Sequence, residues 1–501
     1  MALRSIARDM VKKYQMYIGG KWENPSSGEW FETLNPYTAE PWALIPRGNS
    51  DDAARAVQAA HRAMHVGEWP KLNATQRGAL MRKLGDLIAA NAERLAEIEV
   101  KDNGKLISEM RGQLNYIPQW YYYFGGLADK IQGSVLPIDK PNMFTYTKHE
   151  PIGVVVGIIP WNSPLMLVAW KLAPALAAGN TVVLKPSEFT SASLLEMMSL
   201  VEQAGFPPGV INVVTGFGNE VGPTLVEHPQ VAKVAFTGSD ATGQKIYESA
   251  ARGLKRVSLE LGGKSPNIVF DDANLDNAVN GAIAGIFAAV GQACIAGSRM
   301  LVQESVHDAF VEKLLKATRA IKMGDPMLAE TQVGPVANIP QFDKVLSYLD
   351  IAKKDGAHLA IGGERSYRPE CGKGLFIEPT VFTGVKNNMR IAQEEVFGPI
   401  LSVIPFHDEE EAIEIGNDTL FGLAAGVWTQ NMKRAHIMSD RLKAGMIWVN
   451  TYRMVSYMAP FGGYKRSGLG RENGIEAINE YMQTKTVWMS TGEEPYPFVL
   501  R

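Results

Sequence analysis

The sequence predicts an α/β protein of more than one domain, with parallel sheets covered by helices on both faces. Two observations carry this. Between about residues 150 and 270, short runs rich in Val and Ile alternate with helix-patterned stretches, the rhythm of βαβ units. The chain also has 501 residues, beyond the size at which one hydrophobic core usually divides. Strands are expected over 152–159, 181–184, 210–214, 231–236 and 256–259, each bounded by Gly, Pro or Asn. Helices are expected between them over 191–204, 219–227 and 243–251. A second series follows, with a long buried helix over 276–290, a strand over 300–303 and an amphipathic helix over 306–321. The stretch 129–150 breaks the rhythm with scattered prolines and β-prone Phe144, Thr145 and Tyr146, and the tail after Glu480 resembles it. Both read as an excursion pairing outside the main sheets.

Composition narrows the function classes. A net charge of −3 gives no electrostatic case for nucleic acid or an anionic membrane, so small molecules are the expected partners. Two cysteines, Cys294 and Cys371, cannot frame a chain of this length with disulfides, which fits a reducing cytoplasm. The basic N-terminal stretch has no apolar core of a secretory signal. Two uncharged stretches, 151–170 and 277–298, are broken by Pro160, Asn162 and Pro164 and by Gly281, Gly285, Gly291 and Gly297. They read as interior segments carrying buried polar groups and not as membrane spans.

Three places suggest a nucleotide. Gly216, Gly218 and Gly222 follow the strand ending at Val214, one residue longer than the dinucleotide fingerprint; glycines there also simply make the turn. In FTGSDATG, the strand ending at Phe236 runs into Gly238, Ser239 and a helix, whose free N–H groups suit a pyrophosphate. A capped helix without a ligand reads the same way. In LKPSE, Lys185 and Glu188 stand just past the strand at 181–184, where an ammonium and a carboxylate can hold ribose hydroxyls. Glu188 would repel a 2′-phosphate, which favours NAD over NADP. The alternative is a solvated ion pair of little energetic weight.

Three more carry reactivity. Cys294 lies where a long apolar helix gives way to small residues near Gly291 and Gly297, which let a substrate approach the backbone. A buried structural thiol is the commoner fate of a lone cysteine; a nucleophile needs a base or a lowered pKa. None of the eight histidines falls in 151–200, 256–300 or 391–404, which counts against a cysteine–histidine pair. Glu260 ends an apolar strand before Gly262 and Gly263, where burial would raise its pKa toward that of a general base. Asn162, held between Pro160 and Pro164, could donate its amide to an oxyanion. Taken singly, each also reads as an ordinary strand end or turn.

Together, PWNSP, KPSE, FTGS, LELGGKSP, GQACIAGSR, EEVFGP and PFGGYKRSGLGRE, in that order and spacing, resemble the aldehyde dehydrogenase superfamily, from YIGGKW to KTV. The resemblance implies that Cys294 is the nucleophile and Glu260 the general base. The Asn162 amide and the Cys294 backbone N–H form the oxyanion site, and Lys171 and Glu472 relay protons from Glu260. It places NAD against Ile159, Pro160, Trp161, Lys185, Glu188, Gly218, Gly222, Phe236, Gly238, Ser239, Leu261, Glu395 and Phe397. Without it, Glu394–Glu395 reads as a solvated acidic pair. The substrate pocket would draw on Asn115, Gln119, Ser163, Leu167, Trp170, Ile295, Arg453 and Val455. Ser163 stands where many relatives carry an aromatic residue, and Arg453 could pair with a carboxylate or equally be a solvated residue at the pocket rim; a polar, carboxylated or aromatic aldehyde is expected. No metal is expected. The implied architecture is a Rossmann-like NAD domain (1–128 and 151–261), an α/β catalytic domain (262–479) and a small β oligomerisation arm (129–150 and 480–501), assembled as a homodimer or homotetramer. The implied reaction is oxidation of an aldehyde to an acid through a Cys294 thioester. Transfer of the acyl group to coenzyme A, disfavoured by Glu260, is the first alternative, and a non-enzymatic binding or structural protein on this fold is the second.

Overall fold

Five short, largely buried runs, most of them rich in Val and Ile, build the centre of the first sheet. A computed structural model describes residues 11–492; residues 1–10 of the expected NAD domain and 493–501 of the expected arm lie outside the described residues. The five strands lie in the spatial order Ile211–Val213, Thr181–Lys185, Val154–Ile158, Val231–Thr237, Arg256–Glu260, all parallel. In chain order this is 3-2-1-4-5, the doubly wound plan. The order reverses between Val154–Ile158 and Val231–Thr237, and a crevice opens at the carboxyl ends of such a pair. Met16–Ile18 and Lys21–Glu23 extend one edge of the sheet in antiparallel fashion. Gly468–Leu469 closes the other edge against Leu259 and Glu260. That last pairing departs from the expected boundary, which placed 262–479 wholly in the second domain. A two-residue strand carries no periodicity by which the sequence could announce it.

The second sheet has seven strands in the order His358–Ile361, Thr380–Thr383, Ile400–Phe406, Arg299–Gln303, Pro266–Val269, Ala424–Trp428, Met446–Val449. All neighbours are parallel except the first pair. Met143–Pro151 pairs antiparallel with Met482–Ser490 outside both large sheets, and Phe144, Trp488 and Met489 on this ribbon are exposed. Among the described residues, no helix is long and apolar enough to cross a membrane.

Two helices matter most for the site. Pro164–Ala177 has every residue buried, Lys171 included. The helix expected over 276–290 is shorter, Leu275–Ile286, because Ala289 and Val290 adopt left-handed backbone with φ of 53° and 59°. A β-branched residue there costs on the order of 1–3 kcal/mol. Surrounding contacts hold it: the Ala289 N–H donates to Glu109 Oε1 at 2.7 Å. At Gly291 a Cβ would come within 2.1 Å of the Gly398 carbonyl oxygen, so only glycine fits. The helix therefore stops early, and the next residues run as a loop into the crevice.

Candidate active site

That loop delivers Cys294 to a cavity of 340 Å³ at the reversal point of the first sheet. Asn162, Glu260 and Glu395 share the cavity. Cys294 is half-buried, and its thiol is pushed up to about 12, first by burial and then by the carboxylates of Glu395 and Glu260. Backbone N–H groups of Ile295 and Cys294 pull in the other direction without prevailing. The unliganded thiol is therefore protonated at neutral pH. Below such a pKa the thiolate fraction rises about tenfold per pH unit, so alkylation of Cys294 by iodoacetamide should accelerate steadily from pH 7 to pH 9. Mass spectrometry of the modified peptide checks this, and a plateau inside that window would contradict it.

Glu260 ends its strand with both carboxyl oxygens buried and without a hydrogen-bond partner. Burial is the main force raising it well above the ordinary carboxylate range, the charge of Glu472 adds to it, and Lys171 opposes it. Buried polar groups are nearly always paired, so an orphaned carboxyl on a cavity wall is placed to act on something that enters. Behind it, the Lys171 ammonium donates to Glu472 and, at 2.7 Å, to Thr237 Oγ1. Lys171 and Glu472 do not line the cavity themselves. The Asn162 amide donates to the Gln292 carbonyl oxygen at 3.0 Å. One of its two N–H bonds is thus committed to orienting the group, and the second is left for a ligand beside Cys294.

On one side the cavity runs along Pro160, Trp161, Gly238, Ser239, Leu261 and Phe397. Ser239 caps the helix Asp240–Arg252 by accepting from the Thr242 N–H, which starts that helix three residues before the expected 243. A Cβ on Gly238 would lie 2.4 Å from the Phe236 ring, so the turn there must be glycine. Glu395 is not the solvated residue its neighbours suggested: it is half-buried on the cavity wall, accepts the Gly263 N–H at 2.9 Å and is raised by burial. Glu394, by contrast, is bound to exposed Arg390 and Tyr348. Phe397 holds φ of 61° and meets Trp161 edge-on at 5.3 Å. Ile159 and Phe236 are buried beneath this wall.

Lys185 and Glu188 pair at 3.4 Å at the end of Thr181–Lys185, beyond the cavity. Gly218 and Gly222, on the helix Gly218–Glu227, face open space, and a side chain at either would meet nothing within 4 Å.

On the other side, Ser163, Leu167, Trp170, Ile295, Arg453 and Val455 line the cavity as expected positions. Asn115 and Gln119 do not. Asn115 is exposed and its amide donates back to the Arg111 carbonyl on its own helix. The helix Ile107–Tyr116 presents Gln113 instead. Helical spacing could have found it, three residues after buried Met110. Lys105, Gln341 and Lys344 also line the cavity and went unmarked in the sequence. Lys105 follows the left-handed cap Gly104 and reads there as part of a turn.

A thiol, an orphaned carboxyl and an oriented amide thus meet on one cavity at the reversal point of a doubly wound sheet. The chain belongs to the aldehyde dehydrogenase family, whose model matches residues 22–487. It is 47% identical over 496 residues to a (Z)-2-((N-methylformamido)methylene)-5-hydroxybutyrolactone dehydrogenase of Acinetobacter baylyi, covering 98% of this chain and 100% of that one. It is 42% identical to a betaine aldehyde dehydrogenase of Bacillus subtilis, over 95% of this chain and 97% of the relative. Among solved structures, betaine aldehyde dehydrogenase from Staphylococcus aureus in complex with NAD+ superposes with a TM-score of 0.96, at 40% identity and with full coverage of both chains.

Proposed function

We propose that this protein oxidises an aldehyde to its carboxylic acid with NAD, carrying the acyl group on Cys294. The observation behind the reading is the meeting of Cys294, Asn162 and the unpartnered Glu260 carboxyl on one cavity. The crevice fits a dinucleotide. The helix cap at Ser239, the glycine turn at Gly238 and the open space over Gly218 and Gly222 leave room for phosphates and ribose. Lys185 with Glu188 would hold one ribose and Glu395 the other, and the carboxylate of Glu188 favours NAD over NADP.

When bound, NAD supplies the acceptor for the hydride that leaves the substrate carbon. The chain's own residues do the rest. Cys294 Sγ gives its proton to the ionised Glu260 carboxylate, which returns it to solvent, and bonds to the aldehyde carbon; the C=O π pair moves to oxygen, an oxyanion held by the free Asn162 N–H and the Cys294 backbone N–H. Once that carbon has been oxidised, a thioester remains on Cys294. Glu260 takes a proton from water, the water oxygen bonds to the thioester carbon, and the C–S bond breaks to release the acid. Lys171 and Glu472 would carry that proton away. Asn162→Ala should lower kcat by about 10²–10³-fold, the usual scale for losing one oxyanion donor, with a much smaller change in KM; steady-state kinetics checks this.

The function itself is tested by following aldehyde-dependent NADH formation and identifying the product with and without coenzyme A. A free acid formed without coenzyme A supports the reading, and a product appearing only as a coenzyme A thioester would overturn it. The compound class in the name of the Acinetobacter relative, a 5-hydroxybutyrolactone, is a ring-closed form of an aldehyde bearing a carboxylate, which supports a polar or carboxylated substrate here. Two free cysteines support a cytoplasmic location. The exposed apolar side chains of the ribbon Met482–Ser490 support assembly as a homodimer or homotetramer through it.

A further inference from the structure

The substrate end of the cavity holds a cation without an anion. Lys105 is only 3% exposed, yet its ammonium donates to a neutral partner, the Ser163 hydroxyl at 2.6 Å, and among the described residues no carboxylate forms an ion pair with it. Ser163 occupies the cap position of the helix Pro164–Ala177, but its hydroxyl does not cap the helix, which leaves it with Lys105. Arg453, on the same cavity, donates to the Ala284 carbonyl oxygen at 2.9 Å and likewise has no carboxylate partner. Its left-handed backbone, φ of 67°, marks a side chain that packing holds in place against a conformational cost. Trp170, on the same wall, has a buried indole N–H with no partner. Gln113 adds a buried amide oxygen, also unpartnered, which suits a ligand hydroxyl.

A buried ammonium without a counter-ion is expensive, and a second cation beside it raises the cost. The nearest acids do not relieve it by contact. Glu99 accepts the Leu165 N–H and the Ser193 hydroxyl on Oε1 and leaves Oε2 without a hydrogen bond, and Glu109 accepts the Ala289 and Leu106 N–H groups; neither carboxylate bonds to Lys105. The missing partner is thus one that arrives with the ligand.

We propose that Lys105 and Arg453, with Ser163, form a carboxylate-binding subsite, and that the substrate is an aldehyde carrying a carboxylate a short chain away from its carbonyl. The proposal rests on the aldehyde-oxidising reading of the same cavity. Burial lowers Lys105 to about 8 against the opposing pull of Glu109 and Glu99, with Arg453 pushing the same way as burial, and a bound carboxylate favours its charged form.

Succinic semialdehyde and its neutral analogue 4-oxobutanamide test this directly. Wild type should favour the semialdehyde in kcat/KM by more than about tenfold, the scale of one charge-assisted hydrogen bond made or lost. Lys105→Met should reduce kcat/KM for the semialdehyde by at least about tenfold more than for the amide, mainly through KM, and Arg453→Met should move the same ratio. Lys105→Arg, which keeps the charge, should hold the preference better than Lys105→Met, which separates charge from packing. Equal use of the two aldehydes by wild type, or an equal loss on both in Lys105→Met, overturns the subsite. Calorimetric binding of 4-hydroxybutanoate, which has the carboxylate but no aldehyde, gives a readout independent of turnover. Binding that requires Lys105 in a protein that oxidises no aldehyde would sustain the anion site and sink the aldehyde reading. Turnover of aldehydes without any carboxylate preference would sink the anion site alone.

Discussion

Cys294→Ala should end aldehyde-dependent NADH formation, lowering kcat by more than about 10⁴-fold, the scale seen when a covalent nucleophile is removed. Nothing else in the cavity can replace it. The other cysteine, Cys371, is buried against Ser366 and does not line the cavity. Lys105 and Lys344 lie on the same cavity, but an amine adding to an aldehyde gives an imine and not an acyl group that water can release as acid. Because the thiol is half-buried at a cavity wall, the alanine variant loses little packing, and its thermal midpoint should stay within a few degrees of wild type. Activity within tenfold of wild type would remove the thioester from the mechanism.

Glu260→Gln should separate the two halves of the reaction. Glutamine keeps the shape of the side chain and removes the base, so a first turnover, its thiol proton passing directly to solvent, can leave a thioester on Cys294 while its hydrolysis slows by about 10²–10⁴-fold. Stopped-flow recording should show a burst approaching one NADH per site followed by a slow phase. Mass spectrometry of the quenched protein should find the acyl adduct on the Cys294 peptide. The pH dependence follows from the same group. Glu260 accepts a proton only when ionised, and burial raises its pKa well above the ordinary carboxylate range. The hydrolytic step is therefore fully present at alkaline pH and is lost as pH falls through that raised value, at a higher pH than a solvated glutamate would give. In Glu260→Gln this acid limb should disappear from the slow phase. Equal steady-state rates in the two proteins would show that water is activated elsewhere.

Much of the first sheet was legible in the sequence because its strands are β-branched runs closed by Gly, Pro or Asn, and because parallel βαβ units leave a period along the chain. Cys294, Glu260 and Asn162 stood out only jointly: taken singly each reads as an ordinary strand end, turn or buried thiol, and the order and spacing of their motifs are what set them together. What stayed hidden has physical causes. The early end of the helix at Ile286 depends on Glu109, far away in the chain, holding Ala289 in an unfavourable backbone region. The edge strand Gly468–Leu469 is too short to show a pattern. Glu395 reads as solvated beside Glu394, and only in space do Gly262 and the Gly263 N–H turn it onto the cavity wall. Lys105 was silent because a lysine after a glycine cap is ordinary in sequence, and what sets it apart is the absence of an acid beside it in space.

The late return of the chain to its first sheet bears on how the protein matures on the ribosome. Gly462, which lies against the Glu260 carboxyl, and Glu472, which neutralises the buried Lys171 ammonium, both come more than 200 residues after the groups they meet. A nascent chain that has not yet reached residue 472 must bury Lys171 without its carboxylate, at a cost of several kcal/mol, and lacks the edge strand that shields Glu260. The helix carrying Lys171 is then poorly docked, and the walls around Cys294 are incomplete. The walls around Cys294 are thus completed only once residue 472 has been made and has met Lys171.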